Sequence, residues 1–401
     1  MRGMRLAIIN IVKYNMNMII VSDDFPEKGH QSYIFVEQLV IALTDLGVNV
    51  KVIAPQSLTK GILRGRERYP KRKTFQTRKG CTYEVFRPYY LSAGSKGFIG
   101  KVYFHNLRRA VEGVIKKIGI GNIDVLYGHF WHNANTLVNV AQKYKKPLFV
   151  ACGEGDNAID ELLEAISVSA KERLINAVNG VISVSSENKK RVIDYRLALP
   201  ENIAVIPNAV DKSVFYQKDR LSLRQKLGIS ISDFVVCFVG GFIDRKGSNR
   251  LSAAIAQLND PTIKSIFIGK PWSYDDCTPT CPGILVKEPI PHEVLPDYLN
   301  ASDVFVLPTL NEGCCNAIVE ALSCGLPVIS SNLPFNDDLL DQTNSIRIDP
   351  MNVEEIKNAI LCLKNDKELR GSLSKGAIIK SESFSIEERA KIILEFINSK
   401  S

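Results

Sequence analysis

The stretch that most constrains this chain is Pro308 to Pro327, PTLNEGCCNAIVEALSCGLP. Before it stands Asp303-Val-Phe-Val-Leu307, a short apolar run of the kind that forms a strand buried on both faces of a parallel sheet. Glu312-Gly-Cys-Cys-Asn316 makes a turn. From Ala317, the residues Ile318, Val319, Glu320, Ala321 and Leu322 predict a short helix that stops at Gly325-Leu-Pro327. Val328-Ile329 begins the next strand. A strand that ends in a glycine-containing turn and feeds a helix N-terminus presents backbone N–H groups to an anion. Two carboxylates frame the turn. Glu312 lies at its start and Glu320 one turn into the helix, so they address different parts of one ligand. Taken alone, two acids at this spacing are more often solvated surface groups than a site.

With 401 residues the chain has room for two domains, and 45% hydrophobic with 23% charged residues describes a globular protein. No apolar stretch is long enough to span a bilayer. Leu6 to Val12 is short and lacks a small-residue cleavage site, so Met18-Ile-Ile-Val21 is expected to be the first strand and residues 1–15 a peripheral extension. Of nine cysteines, Cys152, Cys237 and Cys362 lie in apolar runs and read as buried thiols. The pairs Cys277/Cys281 and Cys314/Cys315 have no second pair at zinc spacing, and an odd count suits a reducing cytoplasm. Charge is uneven: residues 1–210 carry 30 Lys and Arg against 18 Asp and Glu, the remainder 21 against 25. Within the first half, Lys60 to Lys79 holds Arg64, Arg66, Arg68, Lys71, Arg72, Lys73 and Arg78, followed by aromatics from Tyr83 to Phe104. Such a run is either a solvated face or a patch that docks on anionic lipid head groups. No nucleic-acid recognition motif accompanies it, so nucleic acid is not expected as a partner.

The segment from Asp303 to Gly313, with Asn316 and Glu320-Ala-Leu-Ser-Cys-Gly-Leu-Pro-Val328, resembles the E-x7-E signature of family-4 glycosyltransferases, which have the GT-B fold. The resemblance implies an α/β architecture of two Rossmann-like, doubly wound domains facing a cleft. Residues 1–208 would form the acceptor-side domain and 209–383 the sugar-nucleotide domain, with a C-terminal helix (384–401) crossing back to the first. Other segments agree with it in order. FPEKGHQSYIFVEQLVIALTDLGVNVKVIAP is similar to the family's opening β-α-β unit and puts Gly29 at the cleft, with His30 where a second glycine is common. Ile123 to His129 resembles a strand ending in a His-bearing loop. In Cys152-Gly-Glu-Gly-Asp156, Gly153 stands where many members carry a histidine, which leaves Glu154 and Asp156, or His129 and His132 from the neighbouring loop, as candidate acceptor contacts. Ile203 to Asp211 is similar to the interdomain PNGVD segment, with Ala209 for the glycine. In Gly240-Gly-Phe-Ile-Asp-Arg-Lys-Gly247, Lys246 matches the diphosphate-binding lysine; Gly241 replaces a frequent arginine, so Arg245 is expected to take the second positive role.

The resemblance also implies roles. Lys246 and Arg245 would stabilise the departing diphosphate, Glu312 would bond the transferred sugar, and Glu320 the ribose hydroxyls. Gly29, Gly240, Gly241, Gly313, Cys314, Cys315, Asn316 and Ala317 would line the donor site. The expected reaction is retaining transfer from a UDP- or GDP-sugar with no metal and no cofactor. The expected acceptor is a glycan or polyprenyl-diphosphate-linked glycan at the inner membrane face, in bacterial surface polysaccharide synthesis by a cytoplasmic, peripherally bound enzyme. The alternatives are a sugar-nucleotide epimerase of the same fold and a non-catalytic basic membrane-surface module.

Overall fold

The computed structural model describes residues 14–27, 32–59, 68–92, 97–154 and 156–401. Residues 1–13 of the extension expected over 1–15, the loop glycine Gly29 with His30, and Arg64 and Arg66 lie outside the described residues. Two sheets carry the fold. The first contains β1 (Asn17–Val21), β2 (Asn49–Ile53), β3 (Arg72–Gln76), β4 (Thr82–Phe86), β5 (Val125–His129), β6 (Leu148–Cys152), β7 (Val178–Ser183) and β8 (Ile203–Val205). Their order is β8-β7-β6-β5-β1-β2-β4-β3, parallel except at the β3/β4 edge. The second contains β9 (Phe234–Val239), β10 (Ile263–Ile268), β11 (Ile284–Glu288), β12 (Val304–Leu307), β13 (Val328–Ser331) and β14 (Ser345–Ile348), in the order β11-β10-β9-β12-β13-β14 and wholly parallel. That is the doubly wound strand order of dinucleotide-binding folds.

Helices of the first half are α1 (Ile34–Asp45), α2 (Gly97–Ile118), α3 (Trp131–Tyr144), α4 (Asp156–Ala165), α5 (Val168–Ala177) and α6 (Ser186–Asp194). Those of the second are α7 (Arg220–Leu227), α8 (Ser248–Leu258), α9 (Leu295–Ala301), α10 (Asn316–Ser323), α11 (Val353–Asn365), α12 (Lys367–Ser381) and α13 (Ile386–Lys400). No described helix is long and apolar enough to cross a membrane.

Strand alternation divides the core of the first sheet. Met18 and Ile20 face α1, whereas Ile19 and Val21 face a separate cluster with Phe104 of α2 and Leu137 of α3. The stripe Ile386, Ala390, Ile393, Leu394 and Ile397 buries α13 against the α1 side of the first sheet, as its helical spacing predicts, and Phe396 meets Phe149 edge-on. The crossing is fastened at its start, where Val210 and Phe384 share a backbone hydrogen bond of 3.0 Å.

Two expectations need correction. Cys362 is exposed, on the outer face of α11. In the described part of the Lys60–Lys79 run, Arg72–Gln76 form an edge strand, and several of the exposed cations are ion-paired, so their charge is in part compensated. Arg72 pairs with Glu84, Lys73 with Glu27, and Arg78 with Asp211 at 3.5 Å. Edge strands commonly carry such charges, which discourage pairing with another chain. The opposing acids come from other segments, so the run by itself did not show them.

Candidate active site

Parallel strands in open sheets place their ligands at the point where strand order reverses. In the second sheet that point lies between β9 and β12. The loop after β9 is Gly240–Gly247 and the loop after β12 is Pro308–Cys315, so the fold brings together two motifs far apart in the chain. Gly247 has φ +78°, and a Cβ there would stand 2.4 Å from the Pro308 carbonyl oxygen, so only glycine allows the loops this close. Backbone bonds join them: Leu310 N–H donates to the Arg245 carbonyl at 2.8 Å.

The side chains converge on Glu312. Lys246 Nζ lies 2.5 Å from its Oε1, the Thr309 hydroxyl donates to the same oxygen at 2.8 Å, and an Arg245 guanidinium nitrogen is 3.3 Å away. Burial pushes the Glu312 carboxyl up, but Lys246 and Arg245 outweigh it and hold the group below the ordinary glutamate range. Lys246 is correspondingly raised: burial lowers its ammonium and Glu312 more than restores it. Arg245 thus stands beside Glu312. A side chain at Gly241 would press within 3.1 Å of the Trp272 indole nitrogen.

Helix α10 begins beside this cluster. Its N-cap residue Cys315 makes no side-chain cap hydrogen bond, so the first-turn N–H groups keep their partial positive charge for other partners. Burial pushes the thiols of Cys314 and Cys315 up, to about 12 and about 11, so neither is a thiolate. Cys314 is tied to the interdomain segment, its carbonyl accepting from Asn208 Nδ2 at 3.1 Å. Gly313 abuts the first domain. A Cβ on it would lie 2.4 Å from the Gly153 carbonyl oxygen, so the two domains approach closely at this pair of glycines. One turn into α10, Glu320 is bonded to His292 at 2.8 Å. Burial lowers His292, but Glu320, Glu293 and, from α1 across the cleft, Glu37 raise it above the usual imidazole range. His292 is not among the residues that the sequence singled out.

The first domain presents its own reversal point, between β1 and β5. Asp23 follows β1, and His132 lies in the first turn of α3 after β5. His132 Nε2 and Asp23 Oδ1 are 2.5 Å apart, and Tyr33 donates its hydroxyl to the other oxygen at 3.1 Å. No spacing rule in the sequence links Asp23 to a histidine so distant along the chain. Burial raises Asp23 and lowers His132, yet each ends on the side its partner dictates, Asp23 below and His132 above its ordinary value. Both partners are therefore predominantly ionised between about pH 4, the usual carboxylate value, and about pH 6.5, the usual imidazole value. Its Asp23 contribution is lost as pH falls through the depressed carboxyl, and its His132 contribution as pH rises through the raised imidazole. Asp23→Asn is expected to bring the His132 titration, followed by imidazole NMR, down to or below the usual value; an unmoved titration would refute the coupling. Two non-glycine residues with positive φ flank the pair, Tyr33 at 62° and Phe130 at 76°.

The candidate acceptor residues fare differently. Glu154 is buried, and its carboxylate is engaged: Oε1 accepts from Trp131 N–H at 2.5 Å and Oε2 from Gly153 N–H at 3.0 Å. It caps the N-terminus of α3, and burial pushes its carboxyl up. His129 is buried between Phe35 and Phe130, its Nδ1 without a hydrogen-bond partner. Burial, then Arg389 of α13, pushes its imidazole down to about 3, so it is neutral. Asp156 opens α4, and its side chain lies outside the described residues. Among the described residues no three His, Cys, Asp or Glu side chains are placed to hold a metal ion.

Residues 219–380 match the family described as Glycosyl transferases group 1, and residues 34–214 match Glycosyltransferase Family 4. TuaC of Bacillus subtilis, named for teichuronic acid biosynthesis, is 25% identical over 339 residues, covering 82% of this chain and 83% of its own length. A D-inositol 3-phosphate glycosyltransferase of Stackebrandtia nassauensis is 22% identical over 68% of each chain. Among solved structures, sucrose-phosphate synthase of Thermosynechococcus elongatus superposes with a TM-score of 0.74 at 16% identity, over 96% of this chain and 98% of its own. HepE of Anabaena with UDP-glucose superposes with a TM-score of 0.70 at 17% identity, over 96% of this chain and all of its own. With both halves matched in order, and with two facing doubly wound sheets, the chain belongs to the group 1, family-4 glycosyltransferases and has the GT-B fold.

Proposed function

We propose that the protein transfers a sugar from a nucleoside-diphosphate sugar to a glycan or polyprenyl-diphosphate-linked acceptor, with retention and without a metal, in surface polysaccharide synthesis. The observation that carries this reading is the Lys246–Glu312 pair at the reversal point of the second sheet, beside the start of α10. Departure of a diphosphate puts negative charge on phosphate oxygen. Lys246, Arg245 and the α10 N–H groups are the preorganised positive charges that such a leaving group needs. An arriving diphosphate draws Lys246 towards itself, and Glu312, released from its strongest partner, is free to accept from the sugar hydroxyls. Glu320 can accept from both hydroxyls of a ribose diol, with His292 fixing its orientation. The nucleotide-bound HepE structure and the naming of TuaC support the donor class and the polysaccharide role. Attachment to the inner membrane face belongs to the same proposal, as does attack from the face the leaving group vacates.

The test is donor hydrolysis and transfer with a panel of UDP- and GDP-sugars in EDTA. One nucleotide should be released by the wild type. Glu320→Ala should weaken binding of that nucleotide about tenfold to a hundredfold, since hydrogen bonds to a charged group contribute about 1.5–3 kcal/mol. If the protein binds neither UDP nor GDP, the reading fails. Activity that EDTA abolishes would overturn metal independence alone.

A further inference from the structure

A second group of basic side chains in the first domain lies away from the Lys60–Lys79 run. It gathers around a cavity of about 350 Å3 between α2, α3 and the α4–α5 corner, on the side of the first sheet away from α1 and α13. The charged groups lining it are Lys101, Arg108 and Arg173, and no carboxylate is among them. Among the described residues Lys101 and Arg108 form no ion pair, and the Nε of Arg108 is buried without a partner. Arg173 donates to neutral amide oxygens only, Asn139 Oδ1 at 2.6 Å and Gln142 Oε1 at 3.3 Å. Glu112, one turn beyond Arg108, accepts instead from Asn139 Nδ2 at 3.0 Å. Ser167, the N-cap of α5, stands at the wall, so the first turn of that helix adds further partial positive charge.

Three cations around one hollow repel one another, and Arg108 has a guanidinium nitrogen withdrawn from water without a partner; neither cost is offset among the described residues. A group with two negative charges and three oxygens relieves both, because guanidinium forks bind phosphate oxygens bidentately. The floor is apolar, from Phe104, Val138 and Ile166, and accommodates the organic part of an ester. We propose that this cavity is a second binding site, outside the cleft, for a phosphate ester. Val102 and Val168, neighbours in sequence of Lys101 and Ser167, are exposed, so the ester fits either a soluble phosphate or a lipid head group.

Glycerol 3-phosphate titrated calorimetrically into the full chain tests the site. The Lys246→Ala background keeps the cleft's leading phosphate cation out of the signal. Saturable binding is expected to weaken at least tenfold when Arg108→Gln and Lys101→Gln are added. It should change less than twofold with Lys116→Gln and Lys117→Gln, which remove equal charge from the exposed end of α2. The same pairs, with Lys246 restored, are then compared for sedimentation with phosphatidylglycerol vesicles. A tenfold loss of vesicle binding in the cavity pair alone assigns a lipid-borne ester. A tenfold loss confined to glycerol 3-phosphate assigns a soluble one. Equal effects of the two pairs in both assays, or none, overturn the proposal in favour of diffuse surface charge. An unchanged urea midpoint in the cavity pair verifies that the variant is folded, and failure of the donor reading leaves this test intact.

Discussion

Lys246→Ala lowers the transfer rate at saturating donor by about 10²–10³-fold, the loss of about 3–4 kcal/mol seen when one preorganised donor is removed from a site of developing negative charge. The ammonium is the less exposed of the two cations beside Glu312, with 16% of its side chain accessible against 41% for Arg245. Its field is therefore the less screened of the two. A second effect adds to the first. Without Lys246, burial of Glu312 is opposed mainly by Arg245 and the Thr309 hydroxyl, and the carboxyl rises from its depressed position. In the wild type, Glu312 contributes stability above the usual carboxylate value of about 4.3, which is lost as pH falls through its depressed folded value. Lys246 contributes below the usual amine value of about 10.4, and that is lost as pH rises through its raised folded value. The pair is thus intact across neutral pH. In the variant, the acid limb of the pH–rate profile moves towards neutrality as Glu312 protonates more readily. A single-turnover rate within tenfold of wild type, with an unmoved acid limb, would remove Lys246 from the chemistry.

The parts of this site that were legible in the sequence are those whose signal is local. Asp303 to Pro327 shows a buried strand, a turn and a short helix in one continuous stretch, and Lys246 follows a strand by a glycine-rich turn. Sheet order then brings them together, a step that resemblance supplies and periodicity does not. What could not be read are contacts between elements far apart in the chain. Asp23 finds His132 only because β1 and β5 are neighbours in the sheet. Glu154 looks like a free acid near an acceptor, but the first turn of α3 comes to lie over its carboxylate. The basic run looks like a docking patch because its partners, Glu27, Glu84 and Asp211, stand on other segments. Charge in sequence records only one side of each ion pair.

The same limit hides the largest stability effect, at Asp303. As sequence it is the first letter of an apolar strand; in the fold it is the counter-charge of the second domain. Its Oδ2 accepts from the fully buried Arg224 at 2.6 Å and from Val235 N–H at 2.7 Å, and its Oδ1 meets Arg220 at 2.6 Å. The Asp303 N–H in turn donates to the Val235 carbonyl at 2.8 Å, so this one residue fastens β12 to β9 at the end of the sheet opposite the cleft. Asp303→Ala leaves the Arg224 guanidinium buried among the carbonyls of Ala301 and Asp233 with no carboxylate. It also leaves a strand N–H without its acceptor. Breaking a buried pair in this way costs about 3–5 kcal/mol. In urea the midpoint falls accordingly, with the slope unchanged as long as the native state stays compact. Most of that loss comes from the orphaned charge and not from the vanished attraction. Arg224→Met added to Asp303→Ala is therefore expected to recover about half of it or more, because an apolar side chain of similar length needs no counter-ion. A double variant less stable than Asp303→Ala would show instead that Arg224 holds the domain through its carbonyl contacts, with the carboxylate a bystander.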